Sequence, residues 1–132
     1  AIGRPQETTI NADAQYKIEF AYNSLGALHT LTYPVSTSGY RLKLQYDYQH
    51  GQLLRIKDFN APATVFWQAN ATDARGRAID EQLGSSLQRL RGFDPVSGRI
   101  EYIQTGPGGN AAVQNLVYQW DGVGNLAWRR DD

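Results

Sequence analysis

Five times in 132 residues the chain writes an aromatic or small polar residue, then Asp or Asn, then two or three residues, then Gly, with an aliphatic residue or Ala two positions on. The copies are Tyr22-Asn23-Ser24-Leu25-Gly26-Ala27-Leu28, Tyr46-Asp47 through Gly51-Gln52-Leu53, Thr72-Asp73-Ala74-Arg75-Gly76-Arg77-Ala78, Phe93-Asp94-Pro95-Val96-Ser97-Gly98-Arg99-Ile100 and Trp120-Asp121-Gly122-Val123-Gly124-Asn125-Leu126. The glycines fall at 26, 51, 76, 98 and 124, so successive spacings are 25, 25, 22 and 26 residues. A period in this range marks a repeat architecture, in which each unit is too small to bury its own apolar face and must pair with its neighbours.

The residues before each Asp or Asn alternate. Tyr16, Ile18, Phe20 and Tyr22 lead to Asn23, and Tyr40, Leu42, Leu44 and Tyr46 lead to Asp47. Period two with large residues on one side predicts half-buried strands. After each Gly a second apolar-bearing segment begins, at Leu28, Leu53, Ile100 and Leu126. Between the strands an Asp or Asn side chain can accept from a backbone amide two residues on, and Gly takes positive φ without a steric penalty. Asn23, Gly26, Asp47, Gly51, Asp73, Gly76, Asp94, Gly98, Asp121 and Gly124 are therefore read as turn formers, with turns centred near 23–26, 47–51, 73–76, 94–98 and 121–124. Residues 33–39, 60–62 and 106–110 separate one hairpin from the next, and Asp80 to Arg91, broken by Gly84-Ser85-Ser86, reads as a hairpin connection rather than a helix. The third copy is degraded at Thr72 and Ala78, which predicts shifted or weaker burial there. Arg89 and Arg91 break the alternation before Phe93, a pattern that suits a sheet edge or rim.

Composition narrows the class. Thirteen Lys plus Arg balance thirteen Asp plus Glu, which leaves no basic field to draw the chain to nucleic acid. There is no cysteine, hence no disulfide framework or thiolate site, and no apolar run of membrane-spanning length. The start at Ala1-Ile2-Gly3-Arg4-Pro5 and the stop at Arg129-Arg130-Asp131-Asp132 suggest a piece of a longer protein. We expect residues 1–132 to form a single repeat array.

The motif as it stands here, most closely in Tyr46-Asp47 through Leu53 and in Phe93 to Ile100, resembles the YD repeat of Rhs proteins. The similarity runs from about Tyr16 to Trp128 and takes in Gln104 to Gly109 and Gln114-Asn115-Leu116. The resemblance implies an all-β fold of consecutive antiparallel hairpins in a curved, elongated sheet, part of a larger β-shell. Such shells enclose a C-terminal polypeptide, often a toxin domain, in secreted or delivered bacterial toxin systems assembled in the cytoplasm; related repeats occur in animal teneurins. The partners implied are flanking repeats of the same parent chain and the enclosed toxin domain, with no nucleic acid and no membrane insertion.

No catalytic, cofactor or metal site is expected. The Asp/Asn set could be imagined as a calcium ladder, but each motif supplies one carboxylate and the turn role accounts for the same residues. His29 and His50 lie in different repeats and read as surface or strand-face residues. No Gly-x-Ser-x-Gly elbow is present. Asp94-Pro95 resembles the family's autoproteolytic site only in that pair and occupies a repeat turn. Asp80-Glu81 and Asp131-Asp132 read as solvated surface. The chain is expected not to be an enzyme. The alternative is a carbohydrate- or protein-binding adhesion module that uses exposed Tyr and Trp rings such as Trp67 and Trp128. Raw sheet edges predict self-association.

Overall fold

The computed structural model describes residues 3–11 and 15–132; Ala1 and Ile2 of the N-terminal stretch lie outside them. The chain divides into two compact units, residues 1–65 and 66–132. Both are all-β.

In the first unit, β1 (Glu7–Asn11), β2 (Gln15–Tyr22), β3 (Leu28–Thr32), β4 (Lys43–Gln49) and β5 (Gln52–Asp58) pair antiparallel, each with the next in sequence. The predicted alternation sorts the two faces. Phe20, Leu31 and Leu44 stand side by side across β2, β3 and β4, while Ala21, Thr30, Gln45 and Lys57 form a row on the opposite face. The polar face is laced by ion pairs of Lys17 with Glu7 (2.8 Å) and Glu19 (3.1 Å), and of Arg41 with Glu19 (2.7 Å). These are solvent-exposed and contribute little each.

In the second unit, β6 (Val65–Thr72), β7 (Ala78–Leu83), β8 (Leu87–Phe93), β9 (Ile100–Gly106), β10 (Gln114–Trp120) and β11 (Leu126–Asp131) again pair in chain order. Gly84-Ser85-Ser86 closes the β7–β8 hairpin, and a single 3-10 turn at Pro107–Gly109 links β9 to β10. No helix among the described residues is long and apolar enough to cross a membrane.

Burial is shallow. No large side chain among the described residues is fully buried, and the buried set there consists of Ala69, Thr30, Asp58, Glu81 and Thr105 with Gly106 and Gly109. Two sequence expectations change here. Glu81 is 4% exposed, so the Asp80-Glu81 pair is not solvated surface. It accepts from Trp67 Nε1 at 2.8 Å, and Arg91 Nη2 lies 2.8 Å from its other oxygen, an ion pair whose angle is poor for a hydrogen bond. Arg91 is therefore no rim residue. It breaks the apolar alternation because its face of β7 carries a buried carboxylate that needs a countercharge. The degraded third hairpin has a second register irregularity, between Ala69 and Ala71, and Thr72 is exposed where Tyr22, Tyr48, Phe93 and Trp120 are half-buried.

Candidate functional site

Within each unit most of the motif residues lie at the hairpin turns. In the first, third and fifth copies one turn recurs. The carbonyl of Asn23, Asp73 or Asp121 accepts from the glycine three residues on at 2.9, 2.9 and 3.1 Å. Its Oδ1 accepts the N–H two residues on (Leu25, Arg75, Val123) at 3.0, 2.9 and 3.0 Å. The same oxygen accepts the N–H four residues on (Ala27, Arg77, Asn125) at 2.9, 2.9 and 2.8 Å. The glycines take φ of 77°, 77° and 97°. The fourth turn is one residue longer: Ser97 N–H donates to Asp94 Oδ1 at 2.6 Å and Gly98 N–H to Asp94 O at 2.8 Å. These hydrogen bonds hold the carboxyls of Asp73, Asp94 and Asp121 below their ordinary range, the leading donors being the Arg77 amide, the Ser97 hydroxyl and the Asn125 amide.

The second copy departs from the motif reading. Asp47 is a residue of β4 opposite Arg55, and the turn is the two-residue His50-Gly51, with φ of 50° and 80°, the two positive values that a type I′ hairpin requires. Register explains the displacement. In each of the five motif hairpins one aromatic or substitute faces the post-glycine aliphatic or alanine across the strands: Tyr22 with Leu28, Tyr48 with Leu53, Thr72 with Ala78, Phe93 with Ile100, Trp120 with Leu126. One residue is then bulged out, at His29, Leu54, Ile79, Glu101 and Ala127 in turn. The second motif is thus centred on Tyr48. Tyr46-Asp47 copies its lettering two residues early, and because strand faces repeat every two residues the period alone could not separate them.

Asp47 is instead a charge hub. Lys57 Nζ (2.9 Å), Arg55 Nη2 (2.8 Å) and Gln45 Nε2 (2.7 Å) surround its carboxylate. Burial pushes its pKa up, but donation from Lys57, Arg55 and Gln45 outweighs this and brings it down to about 2.

Neighbouring hairpins are tied by the motif aromatics. Tyr22 Oη donates to Pro5 O at 2.9 Å, Tyr48 Oη to Leu28 O at 2.9 Å, and Trp120 Nε1 to Ile100 O at 2.7 Å. Leu28 and Ile100 are the post-glycine residues of the preceding copies, so Tyr48 and Trp120 each anchor on the main chain of the hairpin before, while Tyr22 anchors on the segment that leads into β1. Phe93 has no donor, and an arginine substitutes: the Arg77 guanidinium lies 3.7 Å over the Phe93 ring and donates to Gly98 O at 2.6 Å. Arginines also cover the turn glycines, because a Cβ at Gly26, Gly98 or Gly124 would collide with Arg4, Arg75 or Arg99 respectively. Sequence reasoning missed this. For Gly98 and Gly124 the signal was present as an Arg in or beside the preceding motif turn, Arg75 and Arg99.

The rings proposed for binding divide. Trp67 and Trp120 are engaged internally, whereas Trp128 is 40% exposed, with the Arg130 guanidinium 5.5 Å from its ring. His29 and His50 are both exposed.

No family model and no curated protein matches the sequence. Solved structures do. The chain is similar to chains in the Photorhabdus luminescens Tc holotoxin pore carrying the TccC3-D651A mutation (25% identity, TM-score 0.72), in TcdB2-TccC3-TEV (26%, 0.72) and in TcdB2-TccC3 (27%, 0.70). Each match covers 92% of this chain and 6% of the other, so the chain spans a small fraction of the proteins it resembles. Hairpins built on one motif and this agreement of backbone are consistent with the Rhs, or YD-repeat, family.

Proposed function

We propose that the chain is a wall segment of an Rhs-type shell that encloses a C-terminal toxin polypeptide before delivery, in a protein assembled in the bacterial cytoplasm and then secreted or delivered. The observation that carries this reading is the anchoring of one hairpin on the main chain of the one before it, by Tyr48 and Trp120, in place of a deep core. Such construction suits a thin partition between two spaces. Its work is containment, with no turnover. The similar chains belong to structures of a Tc holotoxin pore and of TcdB2-TccC3, which supports a toxin setting.

The test is protease protection in the longer protein that carries the segment. Its C-terminal region should resist proteinase K under native conditions and be digested once denaturant opens the wall; immediate native digestion contradicts the proposal. A rival reading as an adhesion module rests on Trp128. Glycan-array binding by the chain, abolished by Trp128→Ala with the fold intact, would favour it. Trp67→Ala is unsuitable as a probe because it also strips a donor from buried Glu81. Through unpaired strand edges the isolated segment should self-associate, and a clean monomer in analytical ultracentrifugation at high concentration would count against this.

A further inference from the structure

Between the third and fourth turns lies a cavity of about 430 Å³, lined among others by Arg75, Arg77, Ile79, Arg91 and Phe93. Of its two rim carboxylates, Asp73 is engaged through both oxygens and Asp94 through Oδ1. Asp73 accepts two backbone amides through Oδ1 and both Nε and Nη2 of Arg77 (2.7 Å each) through Oδ2. Asp94 is held by Ser97. Arg77 is fully engaged by Asp73, by Gly98 O and by the Phe93 ring beneath it.

Two guanidiniums keep open donors. Arg91 Nη2 is ion-paired with Glu81, and among the described residues no Arg91 side-chain nitrogen makes a hydrogen bond. Arg75 lies over Gly98, and among the described residues its guanidinium makes none. The corresponding groove of the first unit differs, because Arg55 and Lys57 there both close on Asp47. The cavity therefore combines open guanidinium N–H donors, on Arg75 and on the ion-paired Arg91, with an apolar floor of Ile79 and the Phe93 ring.

We propose that this cavity is a carboxylate-binding subsite that takes an acidic side chain of a polypeptide lying along the turn edge. Arg91 and Arg75 grip the carboxylate, and Ile79 with Phe93 supports its methylene stem. Guanidinium donors match the planar geometry of a carboxylate and give the strongest class of charged hydrogen bond. Such donors favour an anion over an ammonium group. What they read, a carboxylate on a short apolar stem, is what a glutamate side chain presents. The inference stands whether or not the wall encloses a chain.

The test follows arginine Nε–H resonances of the whole chain by NMR during titration with N-acetyl-glutamate amide, N-acetyl-glutamine amide, acetate and inorganic phosphate. The glutamate probe should shift Arg75 and Arg91 saturably, with a Kd of about 1–10 mM for so small a ligand, and the glutamine probe should leave them in place. Arg75→Gln should weaken binding several-fold. Because Arg91→Gln strands buried Glu81, the second variant is Arg91→Gln combined with Glu81→Gln, which should abolish the response of Arg75. No saturable shift with the glutamate probe overturns the proposal. So do equal shifts at Arg4 and Arg130, which would signify general screening, and tighter binding of phosphate or acetate than of the glutamate probe, which would make the site one for small anions.

Discussion

Asp47→Asn separates the two roles that the motif lettering confuses. If Asp47 formed a turn, Asn would replace it with little loss, since Asn23 performs that task in the first hairpin with the same hydrogen bonds. As a charge hub it cannot be so replaced. The folded-state pKa falls from 3.8 to about 2, nearly two pH units. At about 1.36 kcal/mol per unit this corresponds to about 2 kcal/mol of stability. Asp47 and Lys57 side chains are only 19% and 14% exposed, although Arg55 at 36% is partly screened. Neutralising Asp47 also leaves Lys57 without its anion. We predict a loss of about 2 kcal/mol at pH 7, roughly 8 °C in Tm for a chain of this size. The sign with pH follows from a depressed carboxylate: the contribution is complete above about pH 4 and disappears as pH falls through about 2. The assay is urea unfolding of wild type and variant at pH 7 and near pH 2, with Asp121→Asn as the turn control. The gap between wild type and Asp47→Asn should narrow in acid. Equal losses for Asp47→Asn and Asp121→Asn at pH 7, or a gap independent of pH, would refute the hub.

Three further outcomes are expected. Gly51 sits at φ 80° with open space around a would-be Cβ, so Gly51→Val should cost about 2 kcal/mol from backbone strain alone and Gly51→Asn less than half as much; equal costs in thermal melts would mean that φ is not the reason. Tyr48→Phe should lose about 1 kcal/mol in chemical denaturation, the value of its bond to Leu28 O, and an unchanged midpoint would show that the inter-hairpin anchor contributes nothing. Arg91→Met should cost about 3 kcal/mol by leaving Glu81 buried without its countercharge, and adding Glu81→Gln should restore most of it; additive losses in the double-mutant cycle would disprove the coupling.

The strands and most turns were legible because they depend on local chemistry. Alternation at Tyr16 to Tyr22 marks a strand whatever surrounds it, and an Asp or Asn three residues before a Gly supplies its own turn hydrogen bonds. What was hidden depended on strands meeting. Tyr46-Asp47 and Tyr48 are equivalent candidates until the bulge at Leu54 fixes the pairing of Tyr48 with Leu53. Glu81 looked solvated beside Asp80, since only the approach of Trp67 and Arg91 from neighbouring strands reveals a buried anion and its partners. The arginines over Gly26, Gly98 and Gly124 escaped for the same reason, because each comes from outside the turn it covers.

The central claim, that these hairpins form a wall around a polypeptide, is tested most directly by electron cryomicroscopy of the longer protein that carries the segment. The account predicts residues 16–128 as successive hairpins in the wall of a closed shell, with density for a C-terminal chain inside. Hairpins open to solvent on both faces, with the C-terminal region outside them, would contradict it.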